Sequence, residues 1–202
     1  MDIPPITLEG LMVRLEPLSL SHHAQLCEAG LDFDLWRWSP QNVRTPKDMR
    51  AYIEQALSEQ AQGTCVPFAT IDRTSGKAIG STRYLNIDAS NLRLEIGATW
   101  LAKKWQRTGA NTEAKYLMLR HAFEKLGCIR VEFKTDSLNQ ESREAILRLG
   151  AKEEGMLRNH MLTWSGRVRH TVYYSIIDSE WPEVKARLEQ KLAGANMSER
   201  VV

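Results

Sequence analysis

The sequence predicts one α/β domain built on a mixed β-sheet with helices on its faces. Strand and helix patterns alternate in the order β-α-α-β-β-β-α-β-α-β-β-α, and two turn sequences, TSGK at 74–77 and WSGR at 164–167, are typical of hairpins. A strand–helix–strand crossover lies between these hairpins. Because hairpins join antiparallel strands and crossovers join parallel ones, the sheet should contain both kinds of pairing. A chain of 202 residues suits a single core.

The first third of the chain predicts one strand and two helices. Alternating apolar residues indicate a half-buried strand at 11–18, and a short helix follows at 22–29. The next helix begins with Thr45 as its N-cap and Pro46 in its first turn, and Gly63 ends it.

Three strands and the longest amphipathic helix occupy the middle of the chain. The runs 66–73 and 78–88 form the first hairpin, and 92–101 is a third strand with Gly97 near its centre. A lone glycine inside a strand indicates a bulge or a close approach of another group. The apolar spacing predicts a helix at 112–126.

The last third predicts a strand, a helix, a hairpin and a final helix. The strand covers 128–135, Asn139 is a good N-cap for a helix reaching residue 149, and the hairpin strands are 152–162 and 168–177. The final helix carries an apolar stripe formed by Trp181, Val184, Leu188 and Leu192. The tail at 193–202 is expected to be loose.

Composition argues against several classes of protein. The net charge of +2 and the absence of a basic stripe with interleaved aromatic residues give no support for binding to nucleic acid or to a membrane. No apolar run approaches the roughly 18 residues that span a bilayer, and the N-terminus is not a signal peptide. Three widely spaced cysteines without a CxxC motif favour free thiols in a reducing compartment. We therefore expect a cytoplasmic protein. The histidines lack metal-ligand spacing, so no metal is expected.

The stretch WQRTGANTEA, at 105–114, separates the third middle strand from the helix at 112–126. Its small residues leave several backbone N–H groups uncovered at the helix start, and Arg107 stands beside them. Such a helix N-terminus can bind an anion. An ordinary capped helix that binds nothing explains the same sequence, and local sequence alone favours it.

Four segments in this order resemble the GNAT superfamily of acetyl-CoA-dependent N-acetyltransferases, and in detail its ribosomal-protein N-terminal (Rim-type) branch. They are LEGLMVRLEPLSLSHH, LEIGATWL, GANTEA and NQESREAILRLGA. The resemblance covers roughly residues 6–177, with residues 1–202 forming a single domain. It implies a mostly antiparallel sheet in which one pair of parallel strands splays apart, with helices on both faces.

The resemblance also implies acetyl-CoA as co-substrate. In the family, the backbone that follows the fourth strand, here the strand at 92–101, holds the pyrophosphate of the cofactor. The corresponding residues in this chain are Gln106, Arg107, Thr108, Gly109, Ala110, Asn111 and Thr112. The pantetheine arm runs along the strand, at Trp100 and Leu101, and Asn139 contacts its far end. This chain departs from the family pattern at Asn111, where the family has glycine or alanine.

Two residues are candidates for the chemistry. Glu95 is the candidate general base, since the acceptor amine must lose a proton before or during attack. A solvated strand glutamate paired with Arg93 or Arg83 is an equal alternative. Ser142 corresponds to the Rim-type serine that protonates the leaving thiolate. Ser142 shares an apolar stripe with Ile146, so its hydroxyl is expected to be buried.

The acceptor side is less defined by the sequence. Trp36, Trp38 and Tyr84 are candidates for binding the acceptor, although two tryptophans in a loop can equally fold onto the core. A CoA-binding sensor or scaffold without catalysis is the main alternative to an enzyme. A dinucleotide site around Gly109 ranks last, because the further glycines of that motif are missing. The sequence leaves open both the identity of the amine and the choice between monomer and homodimer.

Overall fold

The computed structural model describes the backbone of residues 3–199 and the side chains of residues 3–194. One eight-stranded sheet runs through the molecule in the order β1-β2-β3-β4-β5-β6-β8-β7. The strands are β1 (Leu8–Glu9), β2 (Val13–Pro17), β3 (Cys65–Asp72), β4 (Ala78–Asp88), β5 (Arg93–Leu101), β6 (Arg130–Asp136), β7 (Lys152–Leu162) and β8 (Val168–Ile177). The helices are α1 (His23–Gly30), α2 (Pro46–Ala61), α3 (Gly109–Glu124), α4 (Gln140–Leu149) and α5 (Trp181–Glu199).

The predicted mixed sheet is confirmed. All neighbouring strands pair antiparallel except β5 and β6, which are parallel and are connected through α3. The splayed parallel pair that the family resemblance implied is therefore β5 and β6. Among the helices of the described chain, none is both long and apolar enough to cross a membrane.

Two hydrophobic clusters place helices on opposite faces of the sheet. The larger cluster joins one face to α3, α4 and α5, and the smaller one joins the other face, at β3 to β5, to α1 and α2. The predicted stripe of the last helix lies in the larger cluster, where Trp181, Val184 and Leu188 are buried. Core packing thus holds β5 from both faces of the sheet, and β6 through the larger cluster.

Local capping signals set several element ends as predicted. The Thr45 hydroxyl accepts from the Asp48 amide (3.2 Å), and the Asp48 carboxylate accepts from the Thr45 amide (2.9 Å), so α2 begins with a reciprocal cap. Asn139 caps α4 by accepting from the Ser142 amide at 3.1 Å. Gly76, in the first hairpin turn, has φ of 67°, which suits glycine.

Two expectations about element ends are wrong, and one short strand was missed. The helix expected from residue 112 begins at Gly109, because Thr108 is its N-cap and accepts from the Ala110 amide at 3.2 Å. The tail expected to be loose continues α5 as far as Glu199, and residues 200–202 lie outside the described part. The short strand β1 was not predicted, since two residues carry no periodic signal.

Glu113, in the first turns of α3, connects this helix to the turn between β1 and β2. Its buried carboxylate accepts from the backbone amides of Leu11 (2.8 Å), Met12 (2.7 Å) and Val13 (2.7 Å). Because a carboxylate that accepts several amide hydrogen bonds satisfies its buried charge, this contact holds the β1–β2 turn against α3.

Candidate functional site

The parallel pair β5 and β6 separates part of the way along its length. Paired residues are Arg93 with Arg130, Leu94 with Val131 and Glu95 with Glu132, and pairing stops there. Both strands continue, β5 to Leu101 and β6 to Asp136. Beyond Glu95, the edge of β5 that faces β6 therefore lacks a strand partner within the described chain. An extended ligand can add hydrogen bonds to such an edge.

A bulge in β5 accompanies this separation. Pairing with β4 shifts between Gly97 and Trp100, and Ala98 has φ of 48°. The predicted bulge is confirmed, but Ala98 rather than Gly97 adopts the left-handed conformation. Gly97 supplies the close approach instead: a Cβ there would lie 2.6 Å from the Glu95 carboxylate. The missing side chain at Gly97 thus leaves room for Glu95.

Two helix N-termini lie at the end of the separated strands. Helix α3 follows β5 after a short turn, and α4 follows β6. The Arg107 guanidinium, before α3, lies 3.5 Å from the Glu141 carboxylate in the first turn of α4. Thr108 caps only the Ala110 amide, so other first-turn amides of α3 remain available to an anion.

The loop between β5 and α3 is basic. Lys103, Lys104 and Arg107 lie within five residues of one another, and all three side chains are exposed. Arg107 has φ of 60°, a conformation that helps turn successive backbone amides toward one side. Lys103 and Lys104 were not predicted as site residues, although the run AKKWQR at 102–107 contains three basic residues. The loop combines positive side chains with the helix amides.

Asn111 lies inside α3 and is not its N-cap, which is Thr108. It lies in the first turn, where its Oδ1 atom is buried without a hydrogen-bond partner among the described residues. Thr112 falls in the same turn. A buried acceptor without a donor is uncommon in a folded protein, so a donor from a bound molecule would complete this position.

The side chains of Trp100 and Leu101 are packed in the core, so a ligand at this end of β5 would meet backbone groups. The Trp100 side chain lies in the smaller cluster and donates to the Tyr52 hydroxyl at 3.3 Å, while the Leu101 side chain lies in the larger one. The Ala102 amide faces β4, where it donates to Ile79 at 2.8 Å. Since backbone groups alternate along a strand, Leu101 faces the open edge, and its carbonyl accepts from the Gln106 side chain at 3.2 Å.

Lys115 lies beneath the bulge on the α3 side of the sheet. It is 5% exposed, and its ammonium donates to the hydroxyls of Thr82 and Thr99. Burial lowers the pKa of Lys115 to about 7. The Thr99 hydroxyl also contacts the Gly97 carbonyl at 3.3 Å, so the lysine connects α3 with the bulged segment.

Glu95 is buried, at 2% exposure, rather than solvated as its alternative interpretation required. Its Oε2 atom accepts from the Lys134 ammonium (2.9 Å) and from the Asn86 amide (2.7 Å). Arg83, which that interpretation offered as a partner, instead pairs with Glu59 at 3.2 Å. Glu95 thus lies at the point where β5 and β6 separate, with its charge compensated.

Ser142 lies in the first turn of α4, close to the end of β6. It is half-buried rather than buried, and within the described residues its hydroxyl makes no hydrogen bond. The apolar stripe predicted for α4 is present, because Ile146 and Leu149 are buried. Ser142 stands at the exposed end of that stripe, next in sequence to Glu141, which contacts Arg107.

The sheet presents polar side chains on the face opposite α3. We call this set the polar face, and it comprises Glu95, Lys134, Asp136, Arg169 and Thr171. Strand pairing places Asp136 beside Thr171, and the alternation of side chains puts Arg169 on the same face. The loop before α2 bends over one end of the polar face, where the Trp38 carbonyl accepts from Arg169 at 3.5 Å.

Of the aromatic candidates, only Trp38 stands where an acceptor could reach it. It is partly exposed, with the guanidinium carbons of Arg37 and Arg167 at 4.9 Å and 5.5 Å from its ring. Arg167 in turn pairs with Asp136 of the polar face. Trp38 therefore borders the polar face near the end of β6.

The expectations for Trp36 and Tyr84 are wrong. Trp36 is 2% exposed, packs on Trp100 and donates to the Gly30 carbonyl at 2.7 Å, so it is a core residue. Tyr84 is fully buried on the opposite face of the sheet, and its hydroxyl donates to the Met118 carbonyl at 2.7 Å. Neither side chain can reach the polar face without unpacking the core.

A splayed parallel pair, a bulged strand and a helix N-terminus at the mouth of the separation define a class of acyl-CoA-binding folds, and comparison with known proteins agrees. The acetyltransferase (GNAT) domain model matches residues 13–152, well over half of the chain. The chain belongs to the GNAT acetyltransferase family.

Particular relatives refine this assignment. YdaF of Bacillus subtilis (strain 168), a presumed ribosomal N-acetyltransferase, is 34% identical over 106 residues. That match covers 52% of this chain and 57% of YdaF, so the chain spans just over half the length of this curated relative. The crystal structure of a presumed acetyltransferase from T. thermophilus is 38% identical, covers 95% of this chain and 100% of its own, and superposes with a TM-score of 0.87.

A solved structure of RimJ from Mycobacterium smegmatis, in complex with CoA-disulfide, shares the fold. It covers 95% of this chain and 96% of its own, with a TM-score of 0.80 and 23% identity. At that identity the likeness concerns the fold. The name of YdaF agrees with the Rim-type branch to which the sequence motifs point.

Proposed function

We propose that this chain, as a single domain, is an N-acetyltransferase that moves the acetyl group of acetyl-CoA directly to a primary amine. The acceptor is a protein N-terminus or a small-molecule amine. The observation that carries the proposal is the separation of β5 from β6 after Glu95, with the N-terminus of α3 at its mouth. Together these features offer an edge for an extended arm and a site for phosphates.

Acetyl-CoA supplies the acetyl group as a thioester. The diphosphate would be held by the backbone around Thr108, Gly109 and Ala110, with Gln106, Asn111 and Thr112 beside it and Arg107 as the nearest guanidinium. The open edge of β5, at Leu101 and next to Trp100, would hold the pantetheine arm. Asn139 would contact its far end while capping α4.

The polar face would supply the acceptor side of the reaction. The amine nitrogen bonds to the acetyl carbon as the carbon–sulfur bond breaks. Glu95 takes the proton from the nitrogen, directly or through water, and Ser142 gives a proton to the departing sulfur and is reprotonated from solvent. Backbone amides of the β5 bulge would polarise the acetyl carbonyl. Trp38 would contact the apolar part of the acceptor.

The first test is release of free thiol from acetyl-CoA by the purified protein with a panel of amines and N-terminal peptides. Replacing Glu95 by Gln should reduce kcat/KM by roughly 10²- to 10⁴-fold, because the general base is removed. A matched control is Glu132→Gln, since Glu132 pairs with Glu95 in the sheet and its carboxylate contacts Arg93 and Arg130. Equal activity of wild type and Glu95→Gln would remove Glu95 from this role.

The competing function is a CoA-binding sensor or scaffold without catalysis. Asn111 in the family's glycine or alanine position favours it. Binding of acetyl-CoA without turnover of any amine would select this alternative. We further propose that the protein acts in the cytoplasm and needs no metal, nucleic-acid or membrane partner. Analytical sedimentation would distinguish a monomer from a homodimer.

A further inference from the structure

Arg169 of the polar face is a nearly buried cation. It is 6% exposed, Nε donates to the Thr171 hydroxyl at 3.1 Å, and Nη1 reaches the Trp38 carbonyl at a long 3.5 Å. Its Nη2 group donates to no atom in the described part of the chain. Burial lowers the pKa of Arg169, the outcome expected when a charge leaves water without full compensation.

Neighbouring charges on the polar face are compensated, and Arg169 differs from them. Glu95 pairs with Lys134 at 2.9 Å, and Asp136 pairs with Arg167. Among the described residues, Arg169 has no carboxylate within ion-pair distance, and the more distant carboxylates of Asp136 and Glu95 offset only part of the cost of its burial. Buried charges in proteins are normally paired, so an unpaired guanidinium requires an explanation.

The position of Arg169 ties it to the acceptor. Thr171, to which it bonds, pairs with Asp136 at the end of β6, and the chain after Asp136 leads directly into α4 and Ser142. Trp38 lies against Arg169 on the other side. The guanidinium thus borders the same end of the separated strands as the groups proposed to act on the amine.

We propose that Arg169 binds an anionic oxygen group of the acceptor, a carboxylate carried close to the amine that is acetylated. This inference rests on the function proposed above and names the class of its substrate. A carboxylate can accept two N–H groups from one guanidinium and supplies the missing counter-charge. Acceptors of this class are amino acids and peptides with an acidic residue near the N-terminus.

A purely structural role predicts different behaviour. If Arg169 only holds the loop through the Trp38 carbonyl, its replacement should affect all acceptors alike. Removing an unpaired buried charge should not lower stability much, because the charge itself is costly to bury. Discrimination between acceptors, rather than overall activity, therefore reports on the proposed contact.

The test uses pairs of acceptors that differ only in one carboxylate. We would compare hexapeptides with Glu or Gln at position 1, 2 or 3, and free amino acids with their amides, measuring kcat/KM by thiol release at saturating acetyl-CoA. Wild type, Arg169→Gln and Arg169→Lys would be assayed together. In at least one pair, wild type should prefer the carboxylate by about tenfold or more, as for a hydrogen bond to a charged group.

Arg169→Gln should abolish this preference while leaving the amide member and the KM of acetyl-CoA nearly unchanged, and Arg169→Lys should keep part of it. The inference is overturned by the absence of any carboxylate preference, by a preference that survives in Arg169→Gln, or by an equal loss for both members. If wild type turns over no amine, the proposed function fails. In that case, calorimetry with the same acceptor pairs on CoA-loaded protein tests the Arg169 contact by itself. Binding heat that depends on the carboxylate in wild type and is lost in Arg169→Gln supports the contact. No carboxylate-dependent heat in wild type refutes it.

Discussion

Glu95 and Lys115 are two buried charges on opposite faces of β5, and the fold accommodates them differently. Among the described residues, Glu95 has an ammonium and an amide as partners, whereas the Lys115 ammonium has only the hydroxyls of Thr82 and Thr99. The ion pair between Glu95 and Lys134 offsets the cost of removing the carboxylate charge from water. The two hydroxyls that contact Lys115 offset the corresponding cost for its ammonium less well. Burial of Lys115 should therefore make the stability of the fold depend on pH.

Lys115 leads to a prediction about stability and pH. Its folded-state pKa is lowered to about 7, against roughly 10.4 in an unfolded chain. Between these values the unfolded state binds more protons, so the free energy of unfolding should rise with pH by up to about 1.4 kcal/mol per unit. Below pH 7 the lysine contributes no slope.

Urea unfolding at several pH values between 6 and 10 measures this slope. Lys115→Met should remove it and should be more stable than wild type near pH 6, since a buried charge is lost. Lys47→Met, at an exposed lysine, should retain the slope. The same pH dependence in wild type and Lys115→Met would show that the lysine is not responsible.

The two loop tryptophans should separate stability from acceptor binding. Trp36→Ala should lower the free energy of unfolding by about 3–5 kcal/mol, because it leaves a cavity beside Trp100. Trp38→Ala should cost much less stability and should raise the KM of the acceptor, with the KM of acetyl-CoA unchanged. Chemical unfolding and steady-state kinetics on both variants give the comparison. An unchanged acceptor KM in a stable Trp38→Ala protein contradicts the assignment.

At the residue scale, the sequence predicted what depends on near neighbours. Thr45 and Asn139 could be identified as caps because their partners lie three residues away. The burial of Glu95 could not, since Lys134 and Asn86 reach it from other strands. For the same reason, Tyr84 was placed on the wrong face: only the register of the sheet decides which side a strand residue occupies.

At the scale of elements, the start of α3 shows how two good capping residues compete. Both Thr108 and Asn111 are suitable N-caps, and the sequence favoured the second. The left-handed conformation of Arg107 and the hydrogen bond from the Thr108 hydroxyl to Trp105 (2.8 Å) place the helix start at the first. The uncovered amides consequently lie nearer to the end of β5 than the sequence suggested.

The contact of α3 with the N-terminal strands predicts a second effect on stability. Glu113→Ala leaves the amides of Leu11, Met12 and Val13 without their acceptor, so the free energy of unfolding should fall by about 2–4 kcal/mol. Glu113→Gln keeps one acceptor oxygen and should cost less. Denaturant unfolding of both variants tests this order, and equal stability of all three proteins would show that the contact contributes nothing.

At the scale of the whole molecule, the order of elements was enough to predict the fold class. Hairpin turns with glycine and the crossover through α3 specify a mixed sheet, and the structure has one parallel pair among antiparallel neighbours. The separation of β5 and β6 was predicted from the family resemblance, because pairing between distant segments of the chain carries no local sequence signal. The proposed acceptor site depends on contacts between distant segments, such as that of Arg169 with the Trp38 carbonyl, which a single sequence does not reveal.

The separated strands give the molecule one opening that α3, α4 and the polar face share. The proposed cofactor binding, proton transfer and acceptor binding all involve residues of α3, α4 or the polar face. Each of these assignments therefore depends on coenzyme A binding between β5 and β6. Substitutions at Arg169 or Trp38 can change the preference for an acceptor without changing where coenzyme A binds. If coenzyme A does not bind between β5 and β6, the whole proposed reaction is wrong.

A crystal structure of the protein saturated with coenzyme A tests this claim most directly. We expect the diphosphate oxygens within hydrogen-bond distance of the backbone amides between Arg107 and Thr112, and the pantetheine arm along the open edge of β5 at 97–101. Coenzyme A bound elsewhere on the molecule, or an empty opening between β5 and β6 at saturating ligand, would contradict the account.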